Sequence, residues 1–454
     1  MKLTFWEAAQ ALQAENDWRA WPDFELTGVE FDSRKIVEGN LFVPLKGEND
    51  GHSFIQSALK NGAKAALWSS ETELTDFPTL QVPDTLKALQ TLAKYYLQKI
   101  QPSVIAITGS NGKTTTKDMT EAVLAQQFKT YKTQGNYNND IGLPYTILHM
   151  PAATEKLILE MGMDHAGEIE LLSTLAEPEV AAITMIGEAH IENLGSRAGI
   201  AKAKMEIATG LRKDGLLLIP TAEPLLTPLV QNLTQTFKTF GFQSADYSAD
   251  IQEEQKEKTT FTVNTDGTLL SIPVPGKYNV GNALIAFAVG QWFGLSVEQI
   301  QQGLADFQLT KNRTEWLKTK SGIELLSDVY NANPTAMNLV LDSFSQMPTQ
   351  GKRVAVLGDM LELGPDSPTM HRSVSQHLNV SEIAEVYLYG SEMASLYEEL
   401  QKSYPQSQVQ LFAKNEKSAL INTLKETLQS ADMVVLKASN GMGLNEVVQA
   451  LMEI

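Results

Sequence analysis

Short, nearly unbroken apolar runs alternate along the chain with longer segments of helical period. That is the order of a parallel sheet joined by crossover helices. In the middle of the chain the runs are Val104 to Thr108, Leu157 to Met161, Val180 to Ile186 and Leu216 to Ile219. Val354 to Leu357, Val386 to Tyr389 and Met433 to Lys437 continue the pattern, and a helix-like end follows from Leu444. Leu86, Leu89, Leu92, Ala93 and Tyr96 fall on one side of a helix over Leu86 to Ile100. Before it lie strand-like Gly28 to Asp32 and Asn40 to Pro44, then a helix-like piece from Phe54 to Asn61 stopped by Gly62. A more β-rich stretch spans Thr259 to Val274. These textures predict an α/β chain of three domains. Residues 1–83 form a small α/β unit and 84–313 a central, mostly parallel sheet with helices on both faces. Residues 314–454 form a Rossmann-like unit that binds ligands at strand carboxyl ends. At 454 residues the chain is too long for one core.

Composition narrows the function classes. There are 36 basic and 54 acidic side chains, a formal charge of −18. Such a surface repels nucleic acid, so no nucleic-acid partner is expected, and any phosphate site must be a local basic pocket. There is no cysteine, which excludes disulfides, thiolate catalysis and cysteine-bound zinc. No apolar run reaches membrane-spanning length, and Met1-Lys-Leu-Thr-Phe-Trp-Glu7 lacks a signal-peptide pattern. A cytoplasmic protein is the expectation.

The most informative stretch is Val104-Ile-Ala-Ile-Thr-Gly-Ser-Asn-Gly-Lys-Thr-Thr-Thr116. An apolar strand runs into a glycine loop, then a lysine and hydroxyl residues, then a helix-like segment from Thr115. This is the layout of a phosphate-binding loop. Gly109 and Gly112 let backbone amides approach an anion, Lys113 reaches terminal phosphates, and Thr114 offers a hydroxyl to Mg²⁺. Ile107 stands where the longer form of the motif has its first glycine, so this is a shortened loop.

Other polar constellations fall at strand ends and loops, and several admit two readings. Lys132-Thr-Gln-Gly-Asn-Tyr-Asn-Asn-Asp-Ile-Gly-Leu-Pro144 suits either an Asx-type turn or substrate and phosphate contacts. Glu160 ends one apolar run and His190 follows another. Each alone is usually structural, but together beside a phosphate loop they suit a divalent cation. Lys204 falls on the apolar face of a helix over Ser196 to Leu211, with Ile200, Ala203, Ile207 and Ala208, whereas Lys202 points away. It either snorkels or needs a partner or a modification. Asn279 and Asn282 either cap a helix or meet a purine edge. Within Lys311-Asn-Arg313, the arginine suits a γ-phosphate, and Asp328 suits a ribose.

Taken together, these residues resemble the Mur ligases, the ATP-dependent amide-forming enzymes of peptidoglycan precursor synthesis. Thr108-Gly-Ser-Asn-Gly-Lys-Thr-Thr115 is similar to that family's shortened loop, and the resemblance covers essentially the whole chain. Asp32-Ser-Arg34, Leu41-Phe-Val-Pro-Leu-Lys-Gly47 and Asp50-Gly-His52 look like its UDP-binding N-terminal domain, with Pro44 where a small residue is usual. Gly135 to Pro144, Asp328-Val-Tyr-Asn-Ala-Asn-Pro334 and Val356-Leu-Gly-Asp-Met-Leu-Glu-Leu-Gly364 point to one member of the family. That member joins D-alanyl-D-alanine to UDP-N-acetylmuramoyl-tripeptide through an acyl phosphate.

The resemblance implies ATP and Mg²⁺ as cofactors and a monomer. It implies ATP contacts from Gly109, Asn111, Gly112, Lys113, Thr114, Thr115, Asn282 (adenine), Arg313 (phosphate), Asp328 (ribose) and Asn331. Thr114 and Glu160 would hold one metal ion, and His190 and Lys204 a second. The matching lysine is commonly carbamylated. Lys113, His190 and Lys204 would be catalytic. Ser33, Arg34, Lys46, Gly47, Asn136, Asn138 and Asn139 would meet the UDP-linked substrate. The alternative is another amide ligase of the superfamily, such as a folylpolyglutamate synthetase, which lacks the UDP-binding module.

Overall fold

The apolar runs assemble into three parallel-dominated sheets. The computed structural model describes residues 1–70, 76–221, 223–265, 267–310 and 313–454. Lys311 and Asn312 lie outside the described residues. The first sheet pairs Gly28–Glu30, Asn40–Phe42, Ala65–Trp68 and Thr79–Gln81 in that order, all parallel. The second has nine strands. Its centre runs Leu216–Pro220, Val180–Ile183, Ser103–Thr108, Lys156–Glu160 and Thr130–Lys132, all parallel. Thr236–Gly241 and Tyr247–Gln255 extend it, and Lys258–Val263 with Leu269–Ile272 close that edge antiparallel. The third runs Glu315–Lys318, Glu324–Asp328, Met433–Lys437, Arg353–Gly358, Glu385–Tyr389 and Val409–Phe412, antiparallel only at its first pair.

Burial explains the runs. Val104, Ile105, Ala106 and Ile107 are all inaccessible, because helices cover both faces of the central sheet. Ile105 and Ile107 pack with Met119, Val123, Leu284 and Phe287 on one face. Val104 and Ala106 belong to a cluster with Leu89, Leu92, Ile147 and Leu172 on the other. That cluster continues into Leu41, Leu67 and Leu80 of the first sheet. The helix Thr85–Ile100 therefore serves both sheets, as expected of an entry helix. Asp84 caps it by accepting from the amides of Leu86 and Lys87 at 2.8 and 3.0 Å.

Several boundaries differ from the sequence pattern by a few residues, and two of the differences build the site. The strand expected to reach Ile186 stops at Ile183. Thr184 keeps an amide bond to the carbonyl of Thr108 at 2.9 Å and donates its hydroxyl to the carbonyl of Asn111. The helix expected from Thr115 begins at Lys113, because Gly112, at φ 81°, already supplies the left-handed residue before it.

In the third sheet, Asp328 and Lys437 are direct partners in parallel register at adjacent strand ends. A further strand end carries the segment from Asp359 to Leu363. His371, fully buried, holds it: its Nε2 accepts from the amide of Met360 at 3.0 Å. Its Nδ1 faces the carbonyl of Ser367 at 2.8 Å, so the proton sits on Nδ1. Burial lowers the His371 pKa from its ordinary 6.5. The unfolded chain thus takes a proton at a pH where the folded chain does not. Stability from this group is complete above about pH 6.5 and is lost as pH falls toward the lower folded value. The expected slope is at most about 1.4 kcal/mol per pH unit. Urea denaturation across this range should show that acid limb in the native chain and a flatter one in His371→Gln.

Candidate active site

Two glycines set the phosphate loop. Gly109, at φ 150°, lies where a Cβ would come 1.8 Å from Thr184 Oγ1, and at Gly112 a Cβ would come 2.5 Å from Asn282 Oδ1. The side chains of Thr184 and Asn282 thus pack directly on the loop backbone, and neither glycine has room for a Cβ. Lys113 folds back so that its ammonium donates to the carbonyl of Gly109 at 2.8 Å. Burial lowers its pKa, Glu160 opposes that shift, and Arg313 adds to it.

Beside the loop, Thr114 Oγ1 donates to Glu160 Oε2 at 2.9 Å. Asn138 Nδ2 donates to Glu160 Oε1 at 2.9 Å, and the Glu160 amide donates to Thr133 Oγ1 at 3.0 Å. A buried carboxylate and a hydroxyl thus share one orientation at the mouth of the loop. These are hard oxygen donors of the kind a Mg²⁺ ion takes beside phosphates. Arg313 Nη2 donates to the same Thr114 hydroxyl at 3.3 Å, and its guanidinium stacks 3.8 Å from the centre of the Tyr330 ring.

His190 sits in the left-handed region at φ 62°. Its Nδ1 lies 2.6 Å from a carboxylate oxygen of Glu362 and 3.2 Å from one of Asp164. Burial lowers its pKa, and those two carboxylates resist the shift. Lys204 is buried on the helix Arg197–Met205, as its place on the apolar face predicts, whereas Lys202 is exposed. Burial, and then the nearby Lys113 charge, drive the Lys204 pKa well below the ordinary lysine value. No hydrogen bond or ion pair reaches its ammonium from the described residues. Nor do the described residues contain a group of three or more His, Asp or Glu able to hold a metal. Any cation between His190 and Lys204 therefore needs ligands beyond those side chains.

A cavity of about 640 Å³ opens from the loop between the central and third sheets. Asn111, Gly112, Thr115, Asn282, Arg313, Asp328 and Asn331 all line it, with Phe240, Phe242 and Tyr278 as aromatic wall. Asn111 Nδ2 is buried without a partner, a donor left for a ligand. Asn282 caps nothing: it is buried and donates to Asn279 Oδ1 at 3.2 Å, while Asn279 Nδ2 donates to the carbonyl of Pro275 at 2.7 Å. Asp328 is held by the buried ammonium of Lys437, which also donates to the carbonyl of Asn331 at 2.9 Å.

The expected substrate residues divide between two neighbouring elements. Ser33, Arg34, Lys46 and Gly47 lie on loops of the first sheet. Arg34, largely exposed, forms a bidentate pair with Asp32, both bonds 2.8 Å, which lowers the Asp32 pKa to about 2. Asn136, Asn138 and Asn139 lie on the loop after Thr130–Lys132, and Asn139 Oδ1 accepts from the amide of Gly142 at 2.8 Å. The two elements meet through Phe31, Tyr137 and Tyr145, and Tyr145 donates to Glu30 at 3.0 Å. Asp164, Glu188, Tyr330, Glu362 and Lys437 complete the site and were not singled out as site residues from the sequence. Tyr330 and Glu362 fall within the segments Asp328 to Pro334 and Val356 to Gly364 on which the resemblance rests, and Lys437 is a charged residue ending an otherwise apolar strand.

Comparison with known proteins agrees with this geometry. Family models match three segments: "Mur ligase family, catalytic domain" at 25–97, "Mur ligase middle domain" at 107–290, and "Mur ligase, glutamate ligase domain" at 312–440. The UDP-N-acetylmuramoyl-tripeptide–D-alanyl-D-alanine ligase of Bacillus subtilis is 44% identical over 438 residues, covering 95% of each chain. A crystal structure of MurF from Acinetobacter baumannii superposes with a TM-score of 0.90 at 29% identity, covering 100% of this chain and 99% of that one. MurF ligase from Thermotoga maritima in complex with ADP gives 0.83 at 27% identity, covering 94% and 97%.

Removing Lys437 would leave Asp328 buried without its counter-charge. Lys437→Met should lower stability by about 3 kcal/mol or more in urea titrations. The double variant Lys437→Met with Asp328→Asn should recover much of that loss.

Proposed function

The chain belongs to the Mur ligase family, and from that premise we propose how its site performs the reaction. It is an ATP-dependent amide ligase that adds D-alanyl-D-alanine to UDP-N-acetylmuramoyl-tripeptide, giving ADP, phosphate and the UDP-linked pentapeptide. The observation that carries this reading is the shortened phosphate loop opening onto a cavity walled by Asn282, Arg313 and Asp328. A folylpolyglutamate synthetase is the weaker reading, since the Asp32-Ser-Arg34 module has no use there.

A carboxylate is a poor acyl donor, because the group that would have to leave is oxide. Phosphorylation by ATP supplies a leaving group, but it brings two anions together. Lys113 and Arg313 offset that repulsion at the γ-phosphate. Asn111 and the amides of Gly112 to Thr115 hold the phosphate chain, Asn282 the adenine, Asp328 the ribose, and Asn331 the same side. The tripeptide carboxylate attacks the γ-phosphorus and ADP leaves. The free amine of D-alanyl-D-alanine then attacks the acyl carbon. Phosphate leaves, and the amine loses a proton as the amide forms. Water must be kept out, because it would hydrolyse the acyl phosphate.

Mg²⁺, held by Thr114 and Glu160 and in a second place by His190 and Lys204, would neutralise charge on the transferring phosphate. The second place fits only if Lys204 loses its positive charge. Its lowered pKa leaves an amine free to take up carbon dioxide as a carbamate, which turns a buried cation into a carboxylate-like ligand. We place the UDP-linked substrate on Ser33, Arg34, Lys46, Gly47, Asn136, Asn138 and Asn139. Residues 1–83 then serve that substrate, 84–313 serve ATP, and 314–454 receive the dipeptide. No helix among the described residues is long and apolar enough to cross a membrane. We place the reaction in the cytoplasm, where both nucleotides are available, and take the chain to act as a monomer.

Phosphate release should require ATP, Mg²⁺, the UDP-linked tripeptide and D-alanyl-D-alanine together, with a pentapeptide product by mass. Release without the dipeptide would overturn the assignment. Lys113→Ala should lower turnover by about a hundredfold or more while melting normally. Carbon-13 NMR in labelled bicarbonate should show a carbamate carbonyl in the native chain that is missing from Lys204→Met.

A further inference from the structure

The segment 184–190 is gripped from two sides. On one side lies the phosphate loop. Ser110 N–H donates to the carbonyl of Met185 at 3.0 Å, and Gly187 N–H donates to Ser110 Oγ at 2.9 Å. On the other side lies the third-sheet unit. Glu188 accepts from the amide of Thr335 at 3.0 Å with one carboxylate oxygen and from its hydroxyl at 2.9 Å with the other. Thr335 is the second residue of the helix Pro334–Gln346, which Asn333 caps through the amide of Ala336 at 3.0 Å. A carboxylate at that place meets a free amide and the positive end of the helix.

Glu188 is itself braced. Arg197 Nε lies 3.6 Å from its carboxylate, and the same guanidinium donates to the carbonyl of Ile186 at 2.9 Å and to Glu223 at 3.0 Å. The approach is also close. A Cβ at Gly187 would come 3.3 Å from both Asn333 Oδ1 and the Cβ of Ser110, and 3.5 Å from the Cβ of Thr335. The phosphate loop, Gly187 and the helix start thus form one stack, with little room to slide. Asp328, Asn331 and Asn333 lie on the six residues that lead into that helix.

We propose that Glu188 is a positioning residue that couples the phosphate loop to docking of the dipeptide-receiving unit. It rests on the ligase reading of this site. Glu188 lies outside the cavity wall and acts through Thr335. While the clamp is closed, Asp328 and Asn331 face the nucleotide, and the acyl phosphate is shielded until the dipeptide amine arrives. With the clamp broken, ATP is still consumed, but the third unit docks less often. Water then competes with the amine.

The test measures phosphate and pentapeptide together, with all four substrates present. Glu188→Ala and Thr335→Val should each raise the KM for D-alanyl-D-alanine about tenfold. Each should also release more phosphate than pentapeptide, where the native chain releases them one to one. Thr335→Ser keeps the hydroxyl and should restore both values. The double variant should lose no more than Glu188→Ala alone, because the bond that Thr335→Val removes is one of the two that Glu188→Ala removes. Should Glu188→Ala not fold, Thr335→Val, which exchanges a hydroxyl for a methyl group, carries the test. Native KM and one-to-one release in both single variants would overturn the proposal. So would a fall in kcat with coupling intact that Thr335→Ser shares. Those failures leave the ligase reading standing, because that reading fails only if the native chain does not need the dipeptide.

Discussion

Cations that repel one another are gathered at one cleft of a strongly acidic chain, and the rest of the site is arranged around that repulsion. Lys113, Lys204, Arg313 and Lys437 all stand at or beside the phosphate loop and its cavity. Two of these repulsions are direct: Arg313 depresses the pKa of Lys113, and Lys113 depresses that of Lys204. The charges are needed because a carboxylate and a triphosphate must meet there, and the acidic surface opposes both. Each cation is stabilised differently. Lys437 is buried against Asp328. Arg313 spreads its charge over the Tyr330 ring. Lys113 leans on a backbone carbonyl and the field of Glu160. Lys204 alone lacks compensation from the described residues, so it is the member whose chemical state has most reason to change.

This arrangement also explains what was legible in the sequence. Residues whose role depends on local chain geometry could be read directly. The strand, glycine turn and helix of Val104 to Thr116 form one continuous element, so Lys113 and Thr114 are placed by their neighbours alone. Lys204 could be placed because a lysine in an apolar helical stripe stands out against Ile200 and Ile207. The parallel sheets were also legible, because a strand buried on both faces reads as an unbroken apolar run.

What could not be read is pairing at a distance. Glu188 and Asp164 are ordinary acidic residues in polar loops that nothing local marks out, and the segment around Glu362 stood out without showing what that carboxylate touches. Their partners, Thr335 and His190, are 147 and 172 residues from Glu188 and Glu362 respectively. The strand Tyr247–Gln255, third from one edge of the central sheet, escaped for a related reason. Its outer half, Asp250 to Gln255, faces solvent and carries charged and amide side chains, so the apolar pattern fades where burial ends.

The segment after Ile183 shows how these levels join. An apolar strand ends three residues earlier than its hydrophobicity alone suggests: Thr184 gives its amide to Thr108 of the neighbouring strand at 2.9 Å and its hydroxyl to the backbone of the phosphate loop. That early exit frees Met185 to His190 to run along the loop toward the third sheet. Gly187 is small enough to let the two units touch, Glu188 reaches a helix start, and His190 reaches Glu362 in the left-handed conformation. A seven-residue stretch thus contacts the phosphate loop, the docking unit and the proposed metal side of the site. Each contact is one or two hydrogen bonds or an ion pair of modest strength. Their concentration on one short segment means that a shift at the phosphates has a physical route to the docking unit. An enzyme holding an acyl phosphate in water needs such a route, so that activation and acceptance remain one event.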